Sequence, residues 1–422
     1  MRPDASVPVV VAGMHHGGLG IARTLGRWGV PVHGIDADPR APALRSRYLR
    51  GASVWPFHQR TAEQTVDHLL RAAPAARCIL IPTRDDLALL VAEHADALSE
   101  RYLFQRNPPE LVRAFSDKRA LFQLCRALHV PTPDTAFPRS RAEVESFAAS
   151  AVFPVMVKGI DGLRLQRRTG VKMAIAATPA ELLARYDALE DPAAPNLMLQ
   201  EYVPGGDDTV WMFNGYFDAR SACRAGFTGK KLRQHPVHTG ATSLGICLEN
   251  PEVHRLTVEM MDAIGYRGIL DIGWRYDARD GGYKLLDPNP RIGSTFRLFV
   301  DRRGMDVARW LYLDLTGQPL PDPAEYQGRK WMVEDRDLES SLDYAREGEL
   351  SLPEWIRSLR GVDEAAWWAR DDVRPFATVA LRTAGHALRA AARRVLPHRT
   401  PSPATLPTPA PAGIALEDAA AA

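Results

Sequence analysis

The stretch from Gly268 to Arg297 constrains the fold of this chain most. Gly268-Ile-Leu-Asp-Ile-Gly-Trp and Tyr283-Lys-Leu-Leu-Asp-Pro-Asn-Pro-Arg read as two short strands, 267–276 and 282–289. The turn between them, Asp277-Ala-Arg-Asp-Gly-Gly, is rich in residues that accept positive φ. A hairpin centred near Arg279 sets Asp271 directly opposite Asp287. Side chains alternate along a strand, so Asp287 and Asn289 share a face and Asp271 joins them from the partner strand. Like charges facing each other destabilise a sheet, so a cation belongs between them. Mg²⁺ bridging the phosphates of a nucleotide is the economical choice for such hard oxygen donors.

The 422 residues predict two or three domains. An apolar fraction of 45% supplies a sizeable core, and a formal charge of +2 gives no case for nucleic acid as a partner. The basic residues are nearly all Arg, because Lys stands only at 118, 158, 172, 230, 231, 284 and 330. A Lys inside a motif is therefore unusually informative. Cys78, Cys125, Cys223 and Cys247 are scattered, with no zinc-type spacing, and read as buried thiols in a reducing compartment. No apolar run approaches the ~20 residues a membrane span needs, and a cytoplasmic protein is expected.

Residues 7 to about 110 alternate strand and helix patterns: strands at 7–12, 32–35 and 78–81, helices at 19–28, 62–71 and 85–98. This predicts a parallel sheet with helices on both faces. The turn Gly13-Met-His-His-Gly-Gly-Leu-Gly20 feeds the first helix, where backbone N–H groups can cradle an anion. With Asp36 it superficially mimics a dinucleotide fingerprint, although the glycine spacing is irregular. His15 and His16 read as solvent-facing loop imidazoles. A helix begins near 116, with Ser116 as its N-cap. Phe153-Pro-Val-Met-Val-Lys158 is an apolar strand carrying one Lys, which suggests an ammonium delivered to a specific anion. In Gly159–Gly170, Arg164, Arg167 and Arg168 are placed to grip phosphates or an anionic substrate. Leu197-Met-Leu-Gln-Glu-Tyr-Val-Pro-Gly-Gly206 is a strand running into a turn. In the stretch 229–243 the close cations Lys230, Lys231 and Arg233, followed by a Gly/Ser/Thr run, suit a site that handles phosphate or carboxylate charge, with a solvated loop as the alternative for Lys230 and Lys231.

The order Lys118, Lys158, Glu201, Asp271, Asp287, Asn289 resembles the ATP-grasp superfamily of ligases over about 110–300. That resemblance implies an α/β fold (α+β in the nucleotide-binding part): an N-terminal Rossmann-like parallel-sheet domain, then an ATP-grasp domain. It implies Mg²⁺, or Mn²⁺ in its place, held by Asp271, Asp287 and Asn289, although the family usually has Glu where this chain has Asp287. Lys118 and Lys158 correspond to the lysines on the nucleotide phosphates. Glu201 with the backbone of Tyr202 and Val203 corresponds to the adenine hinge, and Asp207 or Asp208 to the ribose acid. The 159–170 segment corresponds to the phosphate-covering flap. Arg233 and Arg291 are expected to stabilise the reacting acyl group. Gly17, Gly18, Arg84 and Ser294 are expected at the acceptor substrate.

The expected boundaries are 1–110, 111–322, an accessory helical region 323–396, and a disordered Pro/Ala-rich tail 397–422. The basic amphipathic stretch 376–396 suits peripheral membrane contact or docking on its own domain. The expected activity is ATP-dependent joining of a small-molecule carboxylate to an amine through an acyl phosphate, with an amino-acid-like substrate, as in the branch that includes D-aspartate ligases. A homodimer is expected. The rivals are a nicotinamide-dependent oxidoreductase built on the N-terminal Gly loop, and an ATP-binding scaffold without turnover.

Overall fold

The computed structural model describes residues 3–171 and 173–395. The apolar runs of the N-terminal third become strands β1 (Val9–Ala12), β2 (Val32–Asp36), β3 (Leu49–Val54), β4 (Cys78–Pro82) and β5 (Tyr102–Leu103). They form one sheet in the order β3-β2-β1-β4-β5, parallel throughout. Helices α1 (His16–Gly26), α2 (Ala62–Ala72), α3 (Asp85–Glu93) and α4 (Ala95–Leu98) connect them. The order reverses between β1 and β4, so the loops after these two strands meet at the sheet's carboxyl edge, the usual ligand position in open α/β sheets. Edge strand β3 carries Gly51 and lacks a buried face, which is why the hydrophobic pattern did not reveal it.

After α5 (Pro109–Ser116), the N-cap of α6 (Lys118–Ala127) is Asp117, whose carboxylate accepts from the N–H groups of Arg119 and Ala120, both at 2.8 Å. Ser116 instead ends the preceding helix. A four-stranded sheet follows, β6 (Thr135–Ala136), β7 (Val155–Gly159), β8 (Met173–Ala176) and β9 (Leu197–Glu201), ordered β6-β9-β7-β8. Helices α7 (Arg141–Ala148), α8 (Gly162–Thr169) and α9 (Pro179–Leu189) belong to this part.

The largest sheet has seven strands: β10 (Val210–Phe217), β11 (Cys223–His235), β12 (Ala241–Cys247), β13 (Gly268–Asp277), β14 (Gly282–Asn289), β15 (Lys330–Met332) and β16 (Val362–Ala365). The stretch 229–243 is thus a hairpin of β11 and β12, and Lys230 and Lys231 lie in strand β11. Residues 323–396 are not helical throughout, since β15 and β16 extend this sheet from β12. Helices α10 (Pro251–Ala263), α11 (Val307–Leu315), α12 (Glu334–Arg346), α13 (Leu352–Ser358) and α14 (Arg374–Val395) complete the described chain.

One apolar core joins the parallel sheet to the seven-stranded one through Val9, Ile21, Phe296, Trp310, Trp331 and Trp367. The chain divides into a compact unit ending at Ala380 and a second beginning at Leu381. Leu396 and the expected disordered tail lie outside the described residues. Among those described, no helix is long and apolar enough to cross a membrane. All four cysteines are free; three are buried and Cys223 is half-buried.

Candidate functional site

A cleft of about 760 Å³, large enough for a cofactor-sized ligand, is lined from the four-stranded sheet, the seven-stranded sheet and the N-terminal region. Its acidic wall is the β13–β14 hairpin, but in a register different from the one expected. Asp271 pairs with Asn289, and Asp287 with Gly273. The reason is a β-bulge: Trp274 pairs with Leu285 and Gly273 with Asp287, so Leu286 is an extra residue in β14. Asp271, Asp287 and Asn289 still share one face, because the pairs 271/289 and 273/287 are two residues apart.

Space around these acids is made by glycines. A Cβ at Gly273 would lie 2.8 Å from Asp287 Oδ1, and one at Gly293 would lie 2.4 Å from Asp271 Cγ. Desolvation in the cleft raises the Asp271 carboxyl to about 6, and the neighbouring Asp287 charge adds to this against Arg291 and Lys231. Desolvation raises Asp287 as well. Asn289 Nδ2 donates to the Asp271 carbonyl at 3.2 Å, while its Oδ1 accepts from Arg291 Nη2 at 3.0 Å. Two neighbouring carboxylates on one face, with side-chain-free backbone beside each, fit a hard divalent cation such as Mg²⁺ or Mn²⁺.

Three ammonium groups line the same cleft. Lys118 donates to the Gly159 carbonyl at 2.7 Å, and Lys158 to Gln200 Oε1 at 2.7 Å. Lys231 donates to Gln234 Oε1 at 3.1 Å and to the Gly240 carbonyl at 3.0 Å. Burial lowers all three, Lys158 to about 8 with a further contribution from Lys118. Apolar lining comes from Met156, Met173, Met198 and Met212. At the end facing the parallel sheet stand Asp85, Arg291, Ser294 and Thr295. Arg291 Nε donates to Asp85 Oδ1 at 2.7 Å.

Several expectations need correction. Arg233 is not at the cleft: it is 5% exposed, its Nε and Nη2 donate to the two oxygens of Asp337 at 2.9 and 2.8 Å, and its Nη1 donates to Ser358 Oγ at 2.7 Å. The 162–169 segment is helix α8, and its arginines are not among the cleft residues. Arg164 binds Asp191 at 3.0 Å and the Ala194 carbonyl at 2.7 Å, Arg168 binds the Leu189 carbonyl, and Arg167 is exposed. Arg84 is held by Asp86, at 2.9 and 2.8 Å, and is not among the cleft residues.

The expected adenine hinge is also rotated. Glu201 accepts from Lys284 at 2.9 and 3.0 Å and from Arg279, on the side away from the cleft. Gln200, its neighbour in β9, faces inward instead. The Tyr202 N–H donates to the Pro154 carbonyl at 3.2 Å, and Val203 is buried. Asp208 is exposed, whereas Asp207 accepts from Gln234 Nε2 at 2.8 Å. Strand alternation was the signal that could have selected Gln200 over Glu201; nothing in the sequence pointed to Asp85 as the partner of Arg291.

The N-terminal turn is structural in its details. His15 caps α1, accepting from the Gly17 N–H at 2.9 Å, and its Nε2 lies 3.1 Å from the Thr83 carbonyl across the switch point. His16 packs between Trp331 and Trp367, with ring centroids 5.9 and 5.8 Å away. Both imidazoles are half-buried, and burial lowers both. Gly17 must be small because a Cβ there would meet Ser294 Cα at 2.9 Å, and one at Gly18 would meet the Gly13 carbonyl at 2.4 Å. Asp36 accepts from the Met14 and Asp38 N–H groups at 2.6 and 2.9 Å, bonds internal to the protein that explain it without a dinucleotide.

No protein-family model matches the chain. Among curated proteins it is similar to the D-aspartate ligase of Enterococcus faecium (strain Aus0004), 25% identical over 354 residues, covering 78% of this chain and 82% of that one. Its fold is similar to that of N5-carboxyaminoimidazole synthetase from Staphylococcus aureus complexed with ADP. The TM-score is 0.59 at 10% identity, covering 77% of this chain and 81% of that chain. It is also similar to L-amino acid ligase from Bacillus licheniformis, with TM-score 0.54, 13% identity and coverage of 74% and 75%. The expected mixed α/β fold agrees with these neighbours.

Proposed function

We propose that this chain, which belongs to the ATP-grasp superfamily of ATP-dependent ligases, joins a carboxylate to an amine through an acyl phosphate, with Mg²⁺ as cofactor. The observation that carries this is the cleft itself, which sets Asp271 and Asp287 in one cavity with Lys118, Lys158 and Lys231. A lone ammonium cluster would suit any anion, and a lone acid pair any cation. Together they suit a polyphosphate carrying its own metal ion. Mg²⁺ held by Asp271, Asp287 and Asn289 would neutralise charge on the phosphates during transfer.

Lys118 and Lys158 hold the nucleotide phosphates, and Lys231 is a third ammonium on them that the sequence pattern left undecided. The methionine-lined slot beside Gln200 takes the base, since thioether side chains adapt to a flat apolar surface. Arg291 stabilises charge on the reacting carboxylate and its acyl phosphate. Its partner Asp85 lines the cleft, and the pair offers one cationic and one anionic group. That couple, with the amino-acid ligases among the relatives, favours an amino-acid-like substrate, D-aspartate first among them. No Ser/His/Asp nucleophile is required, because positioning and charge stabilisation supply the catalysis.

The test is trapping. Enzyme, MgATP and a panel of D- and L-amino acids, incubated with hydroxylamine, should yield a hydroxamate and ADP without the natural amine. With ¹⁸O in the substrate carboxylate, label should appear in the released phosphate. Genuine amide formation without such label would reject the acyl-phosphate route.

A further inference from the structure

Helix α12 has no part in the chemistry as proposed above, yet its Tyr344 is wired to the cleft. Tyr344 is 5% exposed, and burial raises its phenol, so the group stays an O–H donor. That hydroxyl donates to Asp207 Oδ2 and accepts from the backbone N–H groups of Gln234 at 3.3 Å and His238 at 3.4 Å. The other oxygen of Asp207 accepts from Gln234 Nε2 at 2.8 Å, and Gln234 Oε1 accepts from Lys231 Nζ at 3.1 Å. A continuous chain of hydrogen bonds thus runs from α12 to an ammonium in the cleft.

The direction of that chain matters. A side-chain amide has a donor end and an acceptor end. Asp207 can only accept, so it fixes the amide nitrogen of Gln234 toward itself and leaves the oxygen for Lys231. Gln234 is 2% exposed, so losing either partner leaves a buried polar group unsatisfied. If Asp207 turns away, the amide can flip and present its own donors to the ammonium. Tyr344 holds Oδ2 of Asp207, the His238 Nδ1 lies 3.7 Å from Oδ1, and the Arg233–Asp337 ion pair clamps α12 to β11 beside them.

We infer that Tyr344 is a positioning residue of the cleft, acting through Asp207 and Gln234 to hold the Lys231 ammonium where it meets the nucleotide phosphates. This rests on the ligase reading for the place of the phosphates, and it gives the region beyond residue 323 a task in nucleotide handling.

Tyr344→Phe keeps the ring, which packs on His238 with centroids 5.2 Å apart, and removes the hydroxyl. Binding of MgATP and of AMP is measured by calorimetry, without any need for turnover. The variant should weaken MgATP about fivefold and leave AMP within about twofold, because Lys231 meets phosphates beyond the first. In a Lys231→Ala background it should cost nothing more, since residues in one network are not additive. Should Tyr344→Phe fold poorly, Asp207→Ala removes the acceptor one link closer to the cleft and should behave alike. Unchanged MgATP affinity, equal losses for AMP, or full additivity with Lys231→Ala overturns the inference. Tight MgATP binding without turnover on any amino acid would instead overturn the ligase reading alone.

Discussion

Asp271 faces Asn289 across the β13–β14 hairpin. The two carboxylates of the acidic wall are therefore diagonal neighbours, offset by the extra residue Leu286 and kept on one face by it. Such an arrangement leaves room for a cation between the acids where a directly opposed pair would crowd it, and it makes Gly273 part of the site.

Asp287→Asn should abolish Mg²⁺-dependent ADP release, by about 10²-fold or more, while leaving the folded state intact. The substitution keeps the shape and removes one negative charge from the metal face. Circular dichroism and ADP release measured on the same preparation check it. Wild-type turnover in the variant would remove Asp287 from the site.

Gly273→Ala adds one methyl group where the nearest obstacle is the end of the Asp287 side chain, at 2.8 Å. The carboxylate can swing aside, so the melting temperature should change little. Turnover should nonetheless fall by roughly 10²-fold, the usual consequence of moving a catalytic group by about an ångström. A large loss of stability with normal specific activity would show that the glycine serves the strand and not the acid.

Lys158 loses its proton near pH 8 in the free protein, because burial disfavours the charged form. Its folded-state value is lowered, so the ammonium is present below that pH and lost above it. ATP affinity should weaken as the pH rises from 7 to 9, and Lys158→Met should bind more weakly with a shallower pH dependence. AMP should respond much less than ATP in both proteins. An ATP affinity that is flat across this range in the wild type would show that Lys158 does not meet phosphate.

Arg233→Ala should act on stability. It leaves the Asp337 carboxylate buried without its bidentate partner, which typically costs about 3–5 kcal/mol. Urea denaturation measures the loss. A variant with a wild-type midpoint and no turnover would return Arg233 to the reaction. Arg291→Ala, by contrast, should leave the midpoint nearly unchanged and sharply reduce hydroxamate trapping.

What the sequence determined by itself was local in origin. The parallel N-terminal sheet follows from alternating strand and helix patterns. The acid hairpin follows from two short apolar strands around an Asp/Gly turn, and the shared face of Asp287 and Asn289 from strand alternation; the bulge is what brings Asp271 onto that face. Lys158 stood out because a charge inside an apolar strand needs an anion. Tertiary structure alone decided which charged groups pair with one another. Arg233 finds Asp337 104 residues further along the chain, Arg291 finds Asp85 from the parallel sheet, and Arg164 and Arg168 turn to the 189–194 segment. In a chain this rich in arginine, motif position cannot tell a guanidinium that meets substrate from one that meets a protein carboxylate or carbonyl. The bulge at Leu286 was likewise settled by the fold, because a single extra residue in a strand leaves no mark in composition or period.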